Sequence, residues 1–175
     1  MANLARNGVV GIAFVDVADF MAITAERGDA VASELLSDLQ RIIDREIRVV
    51  KGECVKRLGD GYLLAFPSAS QAVRGAASIR EGVRRHRLSD SRFDLKLRIA
   101  VHSGEPLLEQ ADLIGLDVNL AARLLDHCDP DEIVVSETAR EAAERRLRKV
   151  TFDNKRLVRI EGLSGKIPIY SASGA

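Results

Sequence analysis

Two aspartates stand where apolar strands are expected to end or turn. Asp16 closes "VVGIAFVDV", a continuous apolar run typical of a central strand covered on both faces. Asp60 lies in "RLGDGYLLAF", between two glycines of a turn that leads into a second apolar strand. If the two strands are neighbours, both carboxylates reach one edge of the sheet. Two negative charges ~4 Å apart repel by about 4 kcal/mol at an effective dielectric of about 20, so we expect a cation between them.

A small number of carboxylate oxygens suits Mg²⁺ or Mn²⁺, which keep several waters and complete their shells with substrate phosphates. Each aspartate also has an ordinary structural explanation. Asp60 is a common turn residue before Gly61, and Asp16 is suited to a strand end or a helix cap. The two aspartates by themselves therefore do not establish a metal site.

A second polar pair lies on a helix predicted around residues 116–127. Asn119 and Arg123 are four residues apart and therefore project from one helix face. The packing face of this helix is formed by Val118, Ala121, Ala122 and Leu125. An Asn–Arg pair on a helix is by itself typical of a solvated surface. Only its combination with the "DLIG" just upstream favours a functional role for the pair.

The elements that would position these residues do not alternate regularly between strand and helix. A long helical region after Asp19 carries one apolar stripe, formed by Leu35, Leu36, Leu39, Ile42, Ile43 and Ile47. Strands are predicted at 49–59, 62–66, 93–102, 132–136, 157–161 and 166–171, with further helices after Ser68 or Ser70, around 116–127 and over 137–147. This order predicts a single α+β domain over residues 1–175, with helices packed mainly on one face of the sheet.

The segment 93–102 has the clearest strand pattern in the chain. Its odd-numbered residues are apolar from Phe93 to Val101, whereas the even-numbered ones, from Asp94 through Arg98 to His102, are largely polar. We therefore expect one face of this strand in the core and a polar face opposite.

The composition excludes several classes of protein. The 175 residues include 26 basic and 26 acidic side chains and are 46% hydrophobic, which excludes a disordered chain and a strongly basic nucleic-acid surface. Cys54 and Cys128 form no C-x-x-C pair, which favours buried thiols in a reducing compartment. No apolar run approaches the roughly 20 residues of a membrane span, and no signal peptide is recognisable. We expect a cytoplasmic protein without a nucleic-acid or membrane partner.

Four spaced motifs follow one another along nearly the whole chain. F-x-D-x-x-x-F and K-x-x-G-D are present as Phe14, Asp16 and Phe20, and as Lys56, Gly59 and Asp60. The third motif is "RIAVHSG", residues 98–104. The fourth, D-x-x-G-x-x-V-N-x-A-x-R, is present as Asp112, Gly115, Val118, Asn119, Ala121 and Arg123. In this order and spacing they resemble the class III nucleotidyl cyclase catalytic domain.

The resemblance implies a fold and a metal site. The fold would be a ferredoxin-like, palm-type βαββαβ core with an antiparallel-rich sheet. Asp16, Asp60 and the backbone carbonyl of Val17 would hold two Mg²⁺ or Mn²⁺ ions. Arg98 and Phe20 would bind the triphosphate, the latter through the backbone after Asp16.

The same resemblance implies the reaction and the base. Asn119 would orient the ribose, and Arg123 would neutralise charge on the α-phosphoryl oxygens. Lys56 and Asp112 would read the purine, because a donor and an acceptor match N1 and N6 of adenine. Guanine presents the opposite pattern, which a glutamate in place of the lysine would suit better. An adenylate cyclase that acts on ATP is therefore implied, as a head-to-tail homodimer with two shared sites and with a regulatory domain or activator left open.

Three positions depart from the family pattern. Asp19 stands where many relatives carry glycine. Either its negative charge weakens the binding of the triphosphate, or the residue turns away and caps the following helix. Glu161 and Leu163 stand where some relatives place phosphate-binding lysines, and Lys166 is the candidate replacement.

Other functions remain open from the sequence. The motifs are compatible with a guanylate cyclase and with a non-catalytic or activator-dependent cyclase-homology domain that binds nucleotide. A diguanylate cyclase of the related palm-type fold is disfavoured because its G-G-D-E-F turn is absent. A purely structural dimerisation module would leave the polar clusters without a purpose.

Overall fold

The structure is a computed structural model that describes residues 8–174. The strands are β1 (Val10–Val17), β2 (Glu53–Leu58), β3 (Gly61–Phe66), β4 (Leu97–Gly104), β5 (Leu107–Glu109), β6 (Asp112–Ile114), β7 (Ile133–Ser136), β8 (Val150–Val158) and β9 (Ile167–Gly174). The helices are α1 (Phe20–Arg27), α2 (Asp29–Val49), α3 (Ala69–Ser89), α4 (Leu116–Arg123) and α5 (Glu137–Glu144). A 3₁₀ turn over Leu124–His127 continues α4.

Seven strands form one sheet in the order β2-β3-β1-β4-β7-β9-β8, and β5 and β6 form a separate hairpin. The pairing is antiparallel except between β4 and β7, which run parallel. β1 pairs with β3 on one side and with β4 on the other, so it occupies the middle of the sheet. The predicted α+β class with an antiparallel-rich sheet is confirmed.

The two faces of the sheet are covered differently. Helices α2, α3 and α5 pack on one face, and all six residues of the predicted apolar stripe on α2 are buried there. The other face is covered by α4 and by the β5–β6 hairpin, whose Leu113 packs with Val118 and Ala121 of α4 over Ile12 and Leu63. Helices therefore lie mainly on one face, as predicted, and α4 is the exception.

Several predicted boundaries differ from the structure for local reasons. The long helical region after Asp19 is divided into α1 and α2 at Gly28, whose φ of 85° and ψ of 159° interrupt the helix. β4 begins at Leu97 and not at Phe93, because its partner β1 ends at Val17, directly opposite Leu97. Phe93 is nevertheless buried, as its alternation predicted.

Two other predictions were wrong in detail. The even-numbered face of β4 is partly exposed at Arg98, whereas Ala100 and His102 are buried on that face. The strand predicted at 157–161 is the end of β8, which starts at Val150; this edge strand is mostly exposed and lacks the apolar signature of a buried strand. The helices of residues 8–174 include none with the length and apolar character that a membrane span requires.

Candidate active site

Asp16 lies near the end of β1, beside Arg98 of β4. The two residues are directly opposite in the β1–β4 register, and Arg98 Nε donates to Asp16 Oδ2 at 3.1 Å while Nη2 donates to the same oxygen. Burial raises the pKa of the Asp16 carboxyl, the hydrogen bond and charge of Arg98 oppose this shift, and the negative charge of Asp60 adds to it. Positive charge near Asp16 therefore favours the ionised form of its carboxyl group.

The turn between β2 and β3 brings Asp60 to the same edge of the sheet. Tyr62 lies opposite Val15 in the β1–β3 register, which places Gly61 beside the end of β1. A Cβ at Gly61 would lie 3.0 Å from the Val15 carbonyl oxygen and 3.7 Å from Asp16 Oδ1. Glycine thus allows the turn to approach β1, which brings Asp60 near enough for its charge to act on Asp16.

The donors at this edge fit a hard divalent cation. The oxygen donors that would hold such an ion are the carboxylates of Asp16 and Asp60 and the backbone carbonyl of Val17, the next residue in sequence after Asp16. Few protein ligands of this type suit Mg²⁺ or Mn²⁺, which retain water and bind phosphate oxygens. Within residues 8–174, no group of three or more His, Cys, Asp or Glu side chains is arranged to hold a metal ion.

The segment after β1 explains one departure from the family pattern. Asp19 has a φ of 56°, in the left-handed region that glycine adopts without strain. Its backbone carbonyl accepts hydrogen bonds from Ala22 and Ile23, but within the described residues its side chain makes no capping bond to α1. Asp19 therefore occupies the N-cap position of α1, as one of the two alternatives had it, but it caps the helix with its backbone carbonyl and not with its side chain. Phe20 is the first residue of α1, so its amide lies at the helix N-terminus, four residues after Asp16.

Lys56 and Asp112 form an ion pair between β2 and β6. Lys56 Nζ donates to Asp112 Oδ2 at 2.5 Å, and Asp112 Oδ1 accepts from the Leu113 amide at 2.8 Å. A register shift between Cys54 and Lys56 interrupts the β2–β3 pairing, and such a bulge re-aims the side chains that follow it. Both side chains are about one-third exposed, so the pair presents a donor next to an acceptor at the surface.

Asn119 and Arg123 line a surface cavity of about 400 Å³ between α4 and residues 160–163. The Arg123 guanidinium lies 3.4 Å from the carboxylate of Glu161, which lines the same cavity and is 83% exposed. Leu163 also lines the cavity, whereas Lys166 is not part of its lining over the described residues.

The predicted residues form separate groups within one chain. Asp16, Asp60 and Arg98 meet at the end of β1, whereas Asn119 and Arg123 face the cavity beside α4. The lining of that cavity, within residues 8–174, includes neither aspartate. One chain thus presents a carboxylate group and an Asn–Arg group at different places.

Two contacts near these groups were not predicted from the sequence. Glu161 was recognised as a departure from the family pattern, but its pairing with Arg123 was not. Asp117 contacts His102, with its Oδ1 3.1 Å from His102 Nε2. The only signal for the second contact was "HSG" in the third motif, because Asp117 itself is typical of an acidic residue in a first helical turn.

Comparisons with known proteins point to one family. The family model described as "Adenylate and Guanylate cyclase catalytic domain" matches residues 3–174. A protein of Rhizobium meliloti (strain 1021) named "Putative adenylate cyclase 3" is 27% identical over 134 residues, which cover 75% of this chain and 23% of that protein. The chain spans less than half the length of the curated relatives that it matches.

Two solved structures show how closely the fold agrees. The adenylate/guanylate cyclase/hydrolase from Silicibacter pomeroyi superposes with a TM-score of 0.83 at 26% identity, covering 95% of this chain and 97% of that one. The catalytic core of a rhodopsin-guanylyl cyclase with converted specificity, in complex with ATPalphaS, superposes with a TM-score of 0.85 at 22% identity, covering 95% and 96%.

The contact between Glu161 and Arg123 predicts a change in anion binding. Glu161→Gln removes a negative charge from the cavity and frees Arg123, so we expect inorganic tripolyphosphate to bind about fivefold more tightly at low salt. Isothermal titration measures this change. Glu144→Gln, which removes an equal charge from the exposed pair with Arg140 on α5, is the matched control. Equal affinities in the two variants would show that Glu161 does not oppose anions in this cavity.

Proposed function

Because the chain belongs to the adenylate and guanylate cyclase catalytic domain family, we propose that it is an adenylate cyclase. It converts ATP to 3′,5′-cyclic AMP and pyrophosphate at sites shared by the two chains of a homodimer. In this reaction the ribose 3′-oxygen forms a bond to the α-phosphorus, the bond from the α-phosphorus to the bridging oxygen breaks, and the 3′-hydroxyl proton is released.

The observation that carries the choice of ATP is the pair formed by Lys56 and Asp112. The lysine donor and the carboxylate acceptor lie 2.5 Å apart although they are 56 residues apart in sequence. Adenine needs a donor to N1 and an acceptor from N6, and these two side chains supply both next to each other. Guanine would place donors against Lys56 and an acceptor against Asp112, leaving polar groups unpaired.

Asp16 and Asp60 are the side chains that would hold two Mg²⁺ or Mn²⁺ ions, together with the backbone carbonyl of Val17. When bound, such ions lower the pKa of the ribose 3′-hydroxyl and neutralise charge on the triphosphate. The convergence of the two carboxylates, and the upward effect of Asp60 on the pKa of Asp16, support this assignment.

The remaining residues bind and orient the substrate. Asn119 holds the ribose so that its 3′-oxygen faces the α-phosphorus, and Arg123 neutralises the charge that grows on the α-phosphoryl oxygens. Arg98 and the amide of Phe20, at the N-terminus of α1, bind the triphosphate beside the two aspartates.

The separation of the two groups within one chain supports the shared site. In a head-to-tail dimer, the carboxylates of one chain face the Asn–Arg group of its partner. The surface around the second group is apolar: Leu107, Leu108, Ile114 and Leu116 are each between 37% and 67% exposed, on the β5–β6 hairpin and at the start of α4. An exposed apolar patch of this type is typical of an interface.

One observation favours a second candidate, a cyclase domain that depends on an activator. Arg123, the proposed transition-state residue, is paired with Glu161 in its own cavity. In that alternative, an activator or a fused regulatory domain separates the pair before turnover. A guanylate cyclase is the other alternative, and it differs from the proposal only at the base-reading pair.

The proposed reaction is tested by product analysis. Wild-type protein should form cyclic AMP from ATP with Mg²⁺ or Mn²⁺, and Asp60→Asn should lose about 100-fold or more of this activity because it removes one charged metal ligand. Chromatography of reactions with ATP and with GTP separates the products. Glu144→Gln controls for a surface charge change. A wild-type dimer that forms only cyclic GMP would favour the guanylate alternative, and one that forms neither product would favour dependence on an activator.

The base-reading pair predicts a change in selectivity. Lys56→Glu places an acceptor where adenine offers its N1 acceptor, so the ratio of kcat/KM for ATP to that for GTP should fall at least about tenfold. Competition between the two nucleotides in one reaction measures this ratio. Lys51→Glu, at the exposed turn before β2, makes the same charge reversal away from Asp112. An unchanged ratio in Lys56→Glu would mean that Lys56 does not contact the base.

The shared site predicts complementation between inactive variants. Asp60→Ala and Arg123→Ala should each be inactive alone, because every site of either homodimer lacks one group. Random mixing makes half of the dimers mixed, each with one intact site, so activity should recover to about a quarter of the wild-type value. The measurement is cyclic AMP formation after subunit exchange. No recovery with mixed dimers present would exclude sites shared in this way.

A further inference from the structure

His102 is a buried polar residue for which the proposed reaction gives no role. It lies on β4, within the third sequence motif, and is 3% exposed. Both of its ring nitrogens are within hydrogen-bond distance of side chains from other elements: Nε2 contacts Asp117 of α4, and Nδ1 contacts Ser136 at the end of β7 and Thr138 of α5. His102 thus connects the central sheet to α4 on the face that carries the cavity.

The contacts around His102 form a chain of hydrogen bonds with a consistent direction. Asp117 Oδ1 can only accept, so His102 Nε2 carries the proton and donates to it at 3.1 Å. His102 Nδ1 then accepts from the hydroxyl of Ser136 at 2.8 Å. Ser136 in turn accepts from the Ala139 amide as the cap of α5. Burial lowers the pKa of His102, although Asp117 opposes this shift, and the neutral ring fits this arrangement.

The backbone beside His102 is shaped to admit Asp117. A Cβ atom at Gly104 would lie 2.1 Å from Asp117 Cγ, which is much shorter than a van der Waals contact. Only glycine therefore fits beside Asp117 at this position. The second carboxylate oxygen, Oδ2, accepts from the Glu105 amide at 2.8 Å. The Asp117 carboxylate is therefore held by two hydrogen bonds, one from the ring of His102 and one from the backbone at the end of β4.

Asp117 fixes the orientation of the helix that carries the proposed catalytic residues. At about 100° per residue, Asn119 and Arg123 lie roughly 160° and 120° around α4 from Asp117. The face that carries Asp117 is tied to β4, and the opposite face therefore presents Asn119 and Arg123 to the cavity. Without this tie, α4 is attached to the sheet mainly by apolar contacts, which include those of Val118, Ala121 and Leu120.

We propose that His102, acting through Asp117, is a positioning residue that holds α4 in the orientation that the cyclase reaction requires. The inference rests on the proposed function, because only that function gives Asn119 and Arg123 a role in turnover. Both residues act most strongly in the transition state. A change in the angle of α4 therefore lowers kcat and leaves KM for ATP nearly unchanged.

Two substitutions of His102 separate positioning from mere packing. The amide nitrogen of Gln reaches the place of Nε2, so His102→Gln keeps a donor to Asp117 and gives up the acceptor for Ser136. Asn is shorter, so His102→Asn keeps the acceptor near Ser136 and loses Asp117. We expect kcat to fall about tenfold in His102→Asn, with KM changed less than twofold, and to stay within about twofold of wild type in His102→Gln.

Hydrogen exchange of residues 116–123 supplies a readout that does not depend on activity. Amides of α4 should exchange about tenfold faster in His102→Asn than in wild type and in His102→Gln. The matched control is Ser103→Ala, which removes a buried hydrogen bond from the neighbouring residue to Val10 without touching α4. It should leave kcat and the exchange of α4 unchanged.

The outcomes separate this inference from the proposed function. Equal kcat in the Asn and Gln variants, or unchanged exchange of α4 in His102→Asn, would overturn the positioning role. If wild type forms no cyclic nucleotide, the proposed function fails while the exchange comparison still tests the tie. Should either His102 variant not fold, Asp117→Ala removes the same tie from the other side. It should show the same fall in kcat and faster exchange of α4, and wild-type values for either would overturn the inference.

Discussion

The pairing of β1 with β3 on one side and with β4 on the other is the constraint on which the carboxylate group depends. The β1–β3 register places Gly61, and with it the turn that carries Asp60, beside the end of β1. The β1–β4 register places Arg98 opposite Asp16. A shift by one residue in either register would turn these side chains to the other face of the sheet, away from one another. β1 is buried along its length except at Asp16, which is partly exposed.

Charge compensation is a second feature common to the candidate site. Each cation proposed to bind substrate has a carboxylate of the same chain as its partner: Arg98 with Asp16, Lys56 with Asp112, and Arg123 with Glu161. The three pairs are not equivalent. Asp16 is half-buried and its pKa responds to both of its charged neighbours, whereas Glu161 is largely exposed and its contact with Arg123 is screened by solvent. Glu161 is therefore the partner that a phosphate-bearing ligand displaces at least cost.

The candidate site could be predicted from the sequence wherever spacing or an apolar boundary indicated its position. The convergence of Asp16 and Asp60 followed from two buried strands that end in charged turns, and the common face of Asn119 and Arg123 followed from helical periodicity. The family resemblance implied that Lys56 and Asp112 both read the purine, but it did not predict the ion pair between them, and the bulge in β2 that precedes Lys56 leaves no pattern in the sequence. The contact between His102 and Asp117 was missed, since alternation along β4 assigned the histidine to a polar face that α4 in fact covers.

The sequence by itself determined the fold class, the apolar stripe of α2, the buried strands β1 and β3, and the family to which the motifs belong. These follow from local periodicity and from motif order, which do not require knowledge of distant neighbours. Only the tertiary structure decided where β4 begins, that β8 lies at an edge, and that Glu161 and Asp117 contact Arg123 and His102. The physical reason is that each of these depends on which segments become neighbours. A strand ends where its partner ends, and a polar side chain can be buried only where a distant element supplies its hydrogen bond.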